Sequence, residues 1–328
     1  MGEKDLMVLE EYDVEVLRTG KGRESIYCET ADKGLMLLKE YEGSEGKAGA
    51  ENAVLKELLK NRTVDVYMEN KEGKCISVMP DGRKYILKKG VEGREIDLKS
   101  AEEMYFAVRA LANLHNELAE ITDRIGEEIT ILDRKRSFDE DILRHHKELK
   151  RVKNYIRNQR RKNDFELKVM ECFDIFYEQD NYVIEYAEAI SGEIAEDAKR
   201  LLCHGNFNQH NALLSGKEVN IINFDKMNIF YQITDLYFFM RKCMEKQNFD
   251  VGLGLRIIEE YEAEKRLAAV EKKMLYVMFS YPEKFWKVLN HYYNANKAWI
   301  SQKSIDKLEV LIKQEALRQG FLRELCRL

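Results

Sequence analysis

At 328 residues the chain has the length of about two domains or lobes, taking roughly 150 residues for each. Apolar residues make up 45%, enough for sizeable cores, and 34% charged residues with only 2 prolines point to a helix-rich protein. A net charge of −5 gives no global case for nucleic-acid or membrane binding, and no apolar run reaches membrane-spanning length.

The opening MGEKDLMVLEEYD is acidic and lacks an apolar core, so no secretory signal is expected there. Leu6 at its sixth position departs from the myristoylation pattern. Cysteines stand at 28, 75, 172, 203, 243 and 326, none in C-x-x-C spacing. They read as reduced thiols, mostly small buried hydrophobes.

Residues 13–89 read as a β-rich region. Strands are expected at 14–17, 25–30 and 35–41, then at 64–68, 75–79 and 84–88, with hairpin signals between them. Gly20-Lys21-Gly22 joins the first two, either as an ordinary hairpin turn or as a turn whose N–H groups cover phosphates. In LMLLKEY, alternation puts Lys39 on the same face as Leu35 and Leu37. A lysine there is either an edge residue or one reaching into a cleft towards an anionic partner. Residues 47–61 show helical spacing of Val54, Leu55, Leu58 and Leu59. Glu51 or Glu57 on that helix faces Lys39 or stays in water. Segment 85–97, YILKKGVEGREID, leaves the last strand through Gly90 and Gly93 as a hinge.

A helix is expected over 100–121, opened by a capping box of Ser100 and Glu103. His115 on it reads as a packed histidine with one hydrogen bond rather than a ligand. From Lys150 to Lys162 there are seven Lys/Arg and no acid. This is either a surface for an anionic polymer or a solvated basic face docked through Tyr155 and Ile156. His145 and His146 would point about 100° apart on a helix and form no paired metal site. Further helices are expected at 165–177 and 182–202, with a break at Ser191-Gly192, and then at 235–246, 253–264, 267–279, 283–298 and 304–322. Phe285, Leu289 and Tyr292 read as core. No repeat, low-complexity segment or linker beyond 90–93 is visible.

The stretch 201–236, LLCHGNFNQHNALLSGKEVNIINFDKMNIFYQITDL, organises the rest. His204-Gly205-Asn206 is followed by Asn211, with four residues between the two asparagines. A hairpin over 212–222 ends in Asn223-Phe224-Asp225, and Asp235-Leu236 opens the next helix. The spacing is that of a phosphotransferase loop of form H-x-D-x-x-x-x-N, with a second Asp after the following hairpin. Here both acidic positions are Asn.

Over residues 10–320 the chain resembles the aminoglycoside- and choline-kinase-like superfamily, and within it the CotS-type spore coat proteins. The carrying stretches are YILKKGVEGRE, LANLH, KELKRVKNYIRNQRRKNDFE, CHGNFNQHN, INFD, DLYFFMRKCMEK and YPEKFWK. The resemblance implies an α+β, bilobal, protein-kinase-like fold. Residues 1–92 would be the small N-lobe, with a five-stranded sheet and one helix, and 93–328 the larger, mostly helical C-lobe with degenerate catalytic and metal loops. It implies ATP and Mg²⁺ as cofactors. Gly20, Gly22 and Lys39 would meet the nucleotide, and Glu51 would pair with Lys39. Asn206 stands at the catalytic base, with His204 beside it and Asp235 bracing the loop. Asn211 and Asn223 stand at the metal, and Asp225 is a trailing acid. Other spore coat proteins are the implied partners and the cytoplasm or spore coat the implied location; no acceptor is named, and neither membrane nor nucleic acid is expected.

The two substitutions argue against that chemistry. An amide at 206 has no basicity to take a hydroxyl proton, which removes help worth about 10²–10⁴-fold in rate. An amide at 223 offers Mg²⁺ a carbonyl oxygen in place of an anionic one. Asp225, two residues on and on the same face of a strand, is the available replacement. Three readings follow: a catalytically degenerate kinase-fold coat protein with a structural or binding role, an active small-molecule kinase using Asp225, and an anionic-polymer binder working through 150–162.

Overall fold

The computed structural model describes residues 3–294 and 302–328. In chain order, a 3₁₀ segment Glu3–Glu11 precedes strands β1 (Val16–Lys21), β2 (Ile26–Thr30) and β3 (Gly34–Glu40), and helix α1 (Glu45–Leu58). Then come β4 (Tyr67–Met68), β5 (Ser77–Val78), β6 (Lys84–Lys89), β7 (Arg94–Glu95) and α2 (Ala101–Ile125). Helices α3 (Glu140–Asn158), α4 (Asp164–Ala189) and α5 (Ser191–Asp197) lead to β8 (Leu201–Cys203), β9 (Ala212–Ser215), β10 (Glu218–Ile221) and β11 (Asn228–Phe230). The chain ends in α6 (Ile233–Lys246), α7 (Val251–Glu262), α8 (Ala269–Ser280), α9 (Glu283–Asn294) and α10 (Gln302–Leu325). A β-rich N-terminal region and a mainly helical remainder make the α+β class expected from sequence.

By contacts the chain divides into two units. One comprises Met1–Arg134, Lys199–Phe239 and Glu260–Lys265; the other comprises Lys135–Ala198, Met240–Glu259 and Arg266–Leu328. The first unit therefore groups β8 to β11 with the N-terminal sheet.

In the first unit, the main sheet runs β1-β2-β3-β6-β4, with β5 also on β6. It has the six strands read from the residues where the resemblance implies five, because β4 and β5 both pair with β6, towards its opposite ends. One face carries Ile26, Cys28, Met36, Leu38, Tyr85 and Leu87, and packs on Val8, Leu9 and Tyr12 from the 3₁₀ segment and the turn after it. Nothing in the acidic N-terminal sequence signals that cover. On the opposite face, Leu37 lies across from Lys88 and Lys39 across from Ile86. Helix α1 starts at Ser44, whose side chain accepts the Lys47 N–H, and α2 starts at Ser100, which accepts the Glu103 N–H. A three-stranded sheet β10-β9-β7 and a two-stranded pair β11-β8 carry the loops of the site.

In the second unit, α3, α4, α9 and α10 enclose a core of Leu149, Ile156, Phe165, Phe173, Phe285, Leu289 and Leu308. Helix α4 opens with a full capping box of Asn163 and Glu166. It runs through 177–182, where two helices are expected. The polar stretch there holds a fully buried Asp180, whose Oδ2 is bonded to His146 Nδ1 at 2.6 Å. The break does fall at Ser191, but the segment after it turns from helix to strand by Leu201. Residues 295–298 of the expected 283–298 helix lie outside the described residues. Five cysteines are buried, Cys326 is exposed, and all six are free thiols. Among the described residues no helix is long and apolar enough to cross a membrane.

Candidate functional site

Strand β8 delivers the chain to His204-Gly205-Asn206. Gly205 has φ +77, and a Cβ there would stand 2.0 Å from the Lys226 carbonyl oxygen, so only glycine fits this turn. Asp235, in the first turn of α6, accepts the His204 N–H at 2.6 Å and the Gly205 N–H at 2.9 Å. Its Oδ2 also lies 3.3 Å from His115 Nε2, while His115 Nδ1 meets the Tyr261 hydroxyl at 2.6 Å. One buried carboxylate thus holds the backbone of the whole loop. His204 Nε2 lies 2.9 Å from the Ile222 carbonyl and must donate to it, and Nδ1 accepts the Asn206 N–H at 3.2 Å. Both rings are fully buried. Burial depresses both imidazoles below their ordinary value, and the His204 bonding pattern, one nitrogen donating and one accepting, is that of a neutral ring.

The residues at the degenerate positions form a directed chain of hydrogen bonds. Lys88, on β6, is 1% exposed and pairs with the equally buried Asp65 at 2.6 Å. It also donates to Asn223 Oδ1. An ammonium only donates, so Asn223 must turn its carbonyl towards Lys88 and its amide NH₂ away. That NH₂ donates to Asn211 Oδ1 at 2.7 Å, and Asn211 in turn donates to the Asn206 carbonyl at 2.8 Å. The Asn223 N–H donates to Asp65 at 2.8 Å. Asn223 has φ +66, a left-handed conformation in which Asn and Asp are enriched, so the amide keeps the backbone shape an acid would have there. Removing either Lys88 or Asp65 alone would leave an uncompensated buried charge, at a cost of about 3–5 kcal/mol.

The expected pairing of Lys39 with Glu51 is not made. Lys39 Nζ instead contacts Asp225 Oδ1 at 2.9 Å. Glu51 is fully buried and accepts from Tyr41 at 2.8 Å, Tyr67 at 3.0 Å and Lys47. Lys47, one helical turn before it on α1, also donates to the Asp225 carbonyl at 2.9 Å. Two tyrosine hydroxyls and a nearer lysine take the carboxylate, so Lys39 turns to the Asp beyond the hairpin. Burial pushes the Glu51 carboxyl above the usual carboxylate range against these partners. Burial also pushes Asp225 up, but the Lys39 and Lys88 ammonium groups outweigh it and hold this carboxyl below its ordinary value. Glu57 pairs with Lys60 and Arg124.

Gly20 lies in β1 opposite Tyr27, whose ring covers it: a Cβ would meet the ring at 1.9 Å. The Gly22 N–H donates to the Ser25 carbonyl at 2.9 Å and closes the hairpin. Behind the hinge, Val91, Leu213 and Ile222 form a small apolar cluster, and Gly93 packs its backbone against Leu213 and Leu214. A cavity of ≈ 830 Å³ is lined by Lys39, Lys47, Arg134, Asn206, Asp225 and Lys226 among others.

A divalent metal does not fit the residues at its expected place. The Asn211 and Asn223 side-chain oxygens are both already accepting, one of them from an ammonium, and Asp225 is bound to another ammonium. Among the described residues no group of three or more His, Cys, Asp or Glu is placed to hold a metal. Elsewhere, Lys153 of the basic stretch pairs with Asp174 at 2.7 Å and lies over the Phe173 and Tyr177 rings, while Ile156 is buried. His145 stacks on Trp286, and His146 stacks on Tyr177 while binding Asp180.

Lys88, Asp65, Lys47, Tyr41 and Tyr67 were not singled out in the sequence. A signal for Lys88 existed: the alternation that puts Lys39 on the cleft face of β3 puts Lys88 on the matching face of β6. Asp65 likewise interrupts the apolar run Val64-Asp65-Val66.

Replacing Asp235 with Ala should leave the His204 and Gly205 N–H groups without acceptors, lowering stability by about 1–3 kcal/mol for each. Asp235→Asn, which keeps one carbonyl, should lose less; urea denaturation of both variants checks this. His115 and His204 should also make stability pH-dependent. Their folded pKa lies below the unfolded value of about 6.5, so their contribution is present above that pH and is lost as pH falls through the folded pKa. Glu51 and Asp180, raised by burial, act in the opposite sense. The test is therefore a difference: His115→Gln should flatten the fall in stability between pH 7 and 5 by up to about 1.4 kcal/mol per unit. Parallel profiles for wild type and variant would show that His115 is not held neutral by the fold.

The family model described as "Spore coat putative kinase YutH" matches residues 5–325. Among solved structures, an aminoglycoside phosphotransferase from Alicyclobacillus acidocaldarius is 16% identical with a TM-score of 0.79, over 98% of this chain and 95% of that one. A spectinomycin phosphotransferase is 11% identical with a TM-score of 0.66, over 97% of each chain. An amicoumacin kinase is 13% identical with a TM-score of 0.61, over 99% of this chain and 94% of that one. At such identities the likeness is one of fold, the protein-kinase-like fold expected from sequence. The curated proteins contain no match. The spore coat resemblance is met by a family match over nearly the full described length, and the chain belongs to the YutH spore coat kinase family.

Proposed function

We propose that this chain is a kinase-fold component of the spore coat that transfers no phosphate and acts by binding or as a structural part. The observation that carries this reading is the bonded run Lys88–Asn223–Asn211–Asn206. It engages the side-chain oxygens of Asn223 and Asn211 within the protein and ends on the Asn206 backbone carbonyl, which supports reading these amides as replacements for a base and a metal ligand. Without a base, general-base help of about 10²–10⁴-fold is lost. Without an anionic ligand at 223, the metal that would offset phosphate charge has no holder. The spectinomycin phosphotransferase is described with ADP and spectinomycin, and the amicoumacin kinase with AMP-PNP and Ca²⁺. Nucleotide occupancy of this cleft, against Lys39 and the hinge, is compatible with the proposal. Other coat proteins are its natural partners, and the coat its location.

Asp225 supports a second reading, an active kinase. It is ionised, lines the cavity, and would have to release Lys39 to take a metal. Incubation with radiolabelled ATP, Mg²⁺ or Mn²⁺, and a panel of hydroxyl acceptors separates the two. The proposal expects transfer no higher than in a protein-free blank, with the chain recovered in the coat fraction of purified spores. Metal-dependent transfer that Asp225→Ala abolishes would establish the second reading in its place.

A further inference from the structure

We propose that the buried Lys88–Asp65 pair closes the metal position of this site, so that an acid restored at 223 would not by itself recover a divalent ion. This deepens the reading of the same site as a non-transferring one.

Three observations combine. First, the Lys88 ammonium is bonded to Asn223 Oδ1, the atom that an acid at this position would offer a metal. Second, its place is fixed: Asp65 pairs with it at 2.6 Å, and both side chains are 1% exposed. Asp65 also accepts the Asn223 N–H, so the pair and the loop are one unit. Third, the polarity of the amide run follows from the ammonium. Because Lys88 can only donate, Asn223 offers an NH₂ to Asn211, and the oxygen of Asn211 is spent on it. A metal arriving there would meet a like charge and two engaged amide oxygens. The Asp-to-Asn change at 223 then has a physical reason. An acid at 223 would be captured by Lys88 as a second carboxylate on one ammonium, and would not restore a metal site.

That last consequence is specific to this proposal. If the site were merely degraded, restoring the acid would restore metal affinity. If the Lys88–Asp65 pair closes the site, restoring the acid does nothing until that pair is also neutralised.

The probe is Mn²⁺ alone, followed by electron paramagnetic resonance of the full chain, with circular dichroism to check folding. Wild type and Asn223→Asp should both leave the free-ion signal unchanged. Asn223→Asp in a Lys88→Met/Asp65→Asn background, which removes both buried charges together, should bind at least about tenfold more tightly than Asn223→Asp alone. Mn²⁺ capture by wild type at a site that Asn223→Ala removes, or by Asn223→Asp as tightly as in the neutral background, would overturn the proposal. So would a folded neutral-background variant that captures none. Should that background fail to fold, the wild-type and Asn223→Asp titrations still decide between a blocked site and a degraded one. Phosphate transfer is not read here. Transfer without Mn²⁺ capture would sink the proposed function and leave this inference, and capture without transfer would do the reverse.

Discussion

A lysine ammonium held against one buried aspartate, with an asparagine carbonyl as its second acceptor, sets the orientation of everything downstream in the catalytic loop. Neither charge of the Lys88–Asp65 pair reaches water, so neither can be left alone without a large cost. Because the ammonium has no lone pair, the amides of Asn223 and Asn211 each have one allowed direction, and the run ends on the Asn206 carbonyl.

The rest of the site is arranged around that closure. Asp235 fixes the backbone of His204 and Gly205, and the neutral His204 ring ties the loop to the end of the hairpin through Ile222. Lys39 and Lys47 both end on residue 225, one on its carboxylate and one on its carbonyl, which binds β3 and α1 to the same loop. On the proposed reading, the amides at 206 and 223 stand where a phosphotransferase would move a proton and hold a metal, and the bonds around them keep the loop's shape.

Much of the fold was legible. The period-2 strands of the N-terminal region, the Ser100 N-cap and the spacing from His204 to Asp235 all carry local signals that the structure follows, although Glu103 turns to Arg94 and the Asp97 N–H instead of closing the expected capping box. What sequence could not give was pairing at a distance. Lys39 and Glu51 look like partners by position, yet Tyr41 and Tyr67 reach Glu51 from separate segments of the N-terminal sheet, and no local pattern counts them. The 177–182 stretch looked like a break because Asp180 is polar, and only the arrival of His146 from α3 makes its burial tolerable. Lys88 could have been found, since it shares the alternation of Lys39. A lysine at the end of an apolar strand usually reaches solvent, so alternation alone does not mark Lys88 as buried.

If a divalent metal has no role in this cleft, calorimetric titration of a non-hydrolysable ATP analogue gives the same heat and affinity in Mg²⁺ and in EDTA, whether the nucleotide binds well or not at all. Binding that Mg²⁺ strengthens by about tenfold, roughly 1.4 kcal/mol, would contradict it and return the chain to the working kinases.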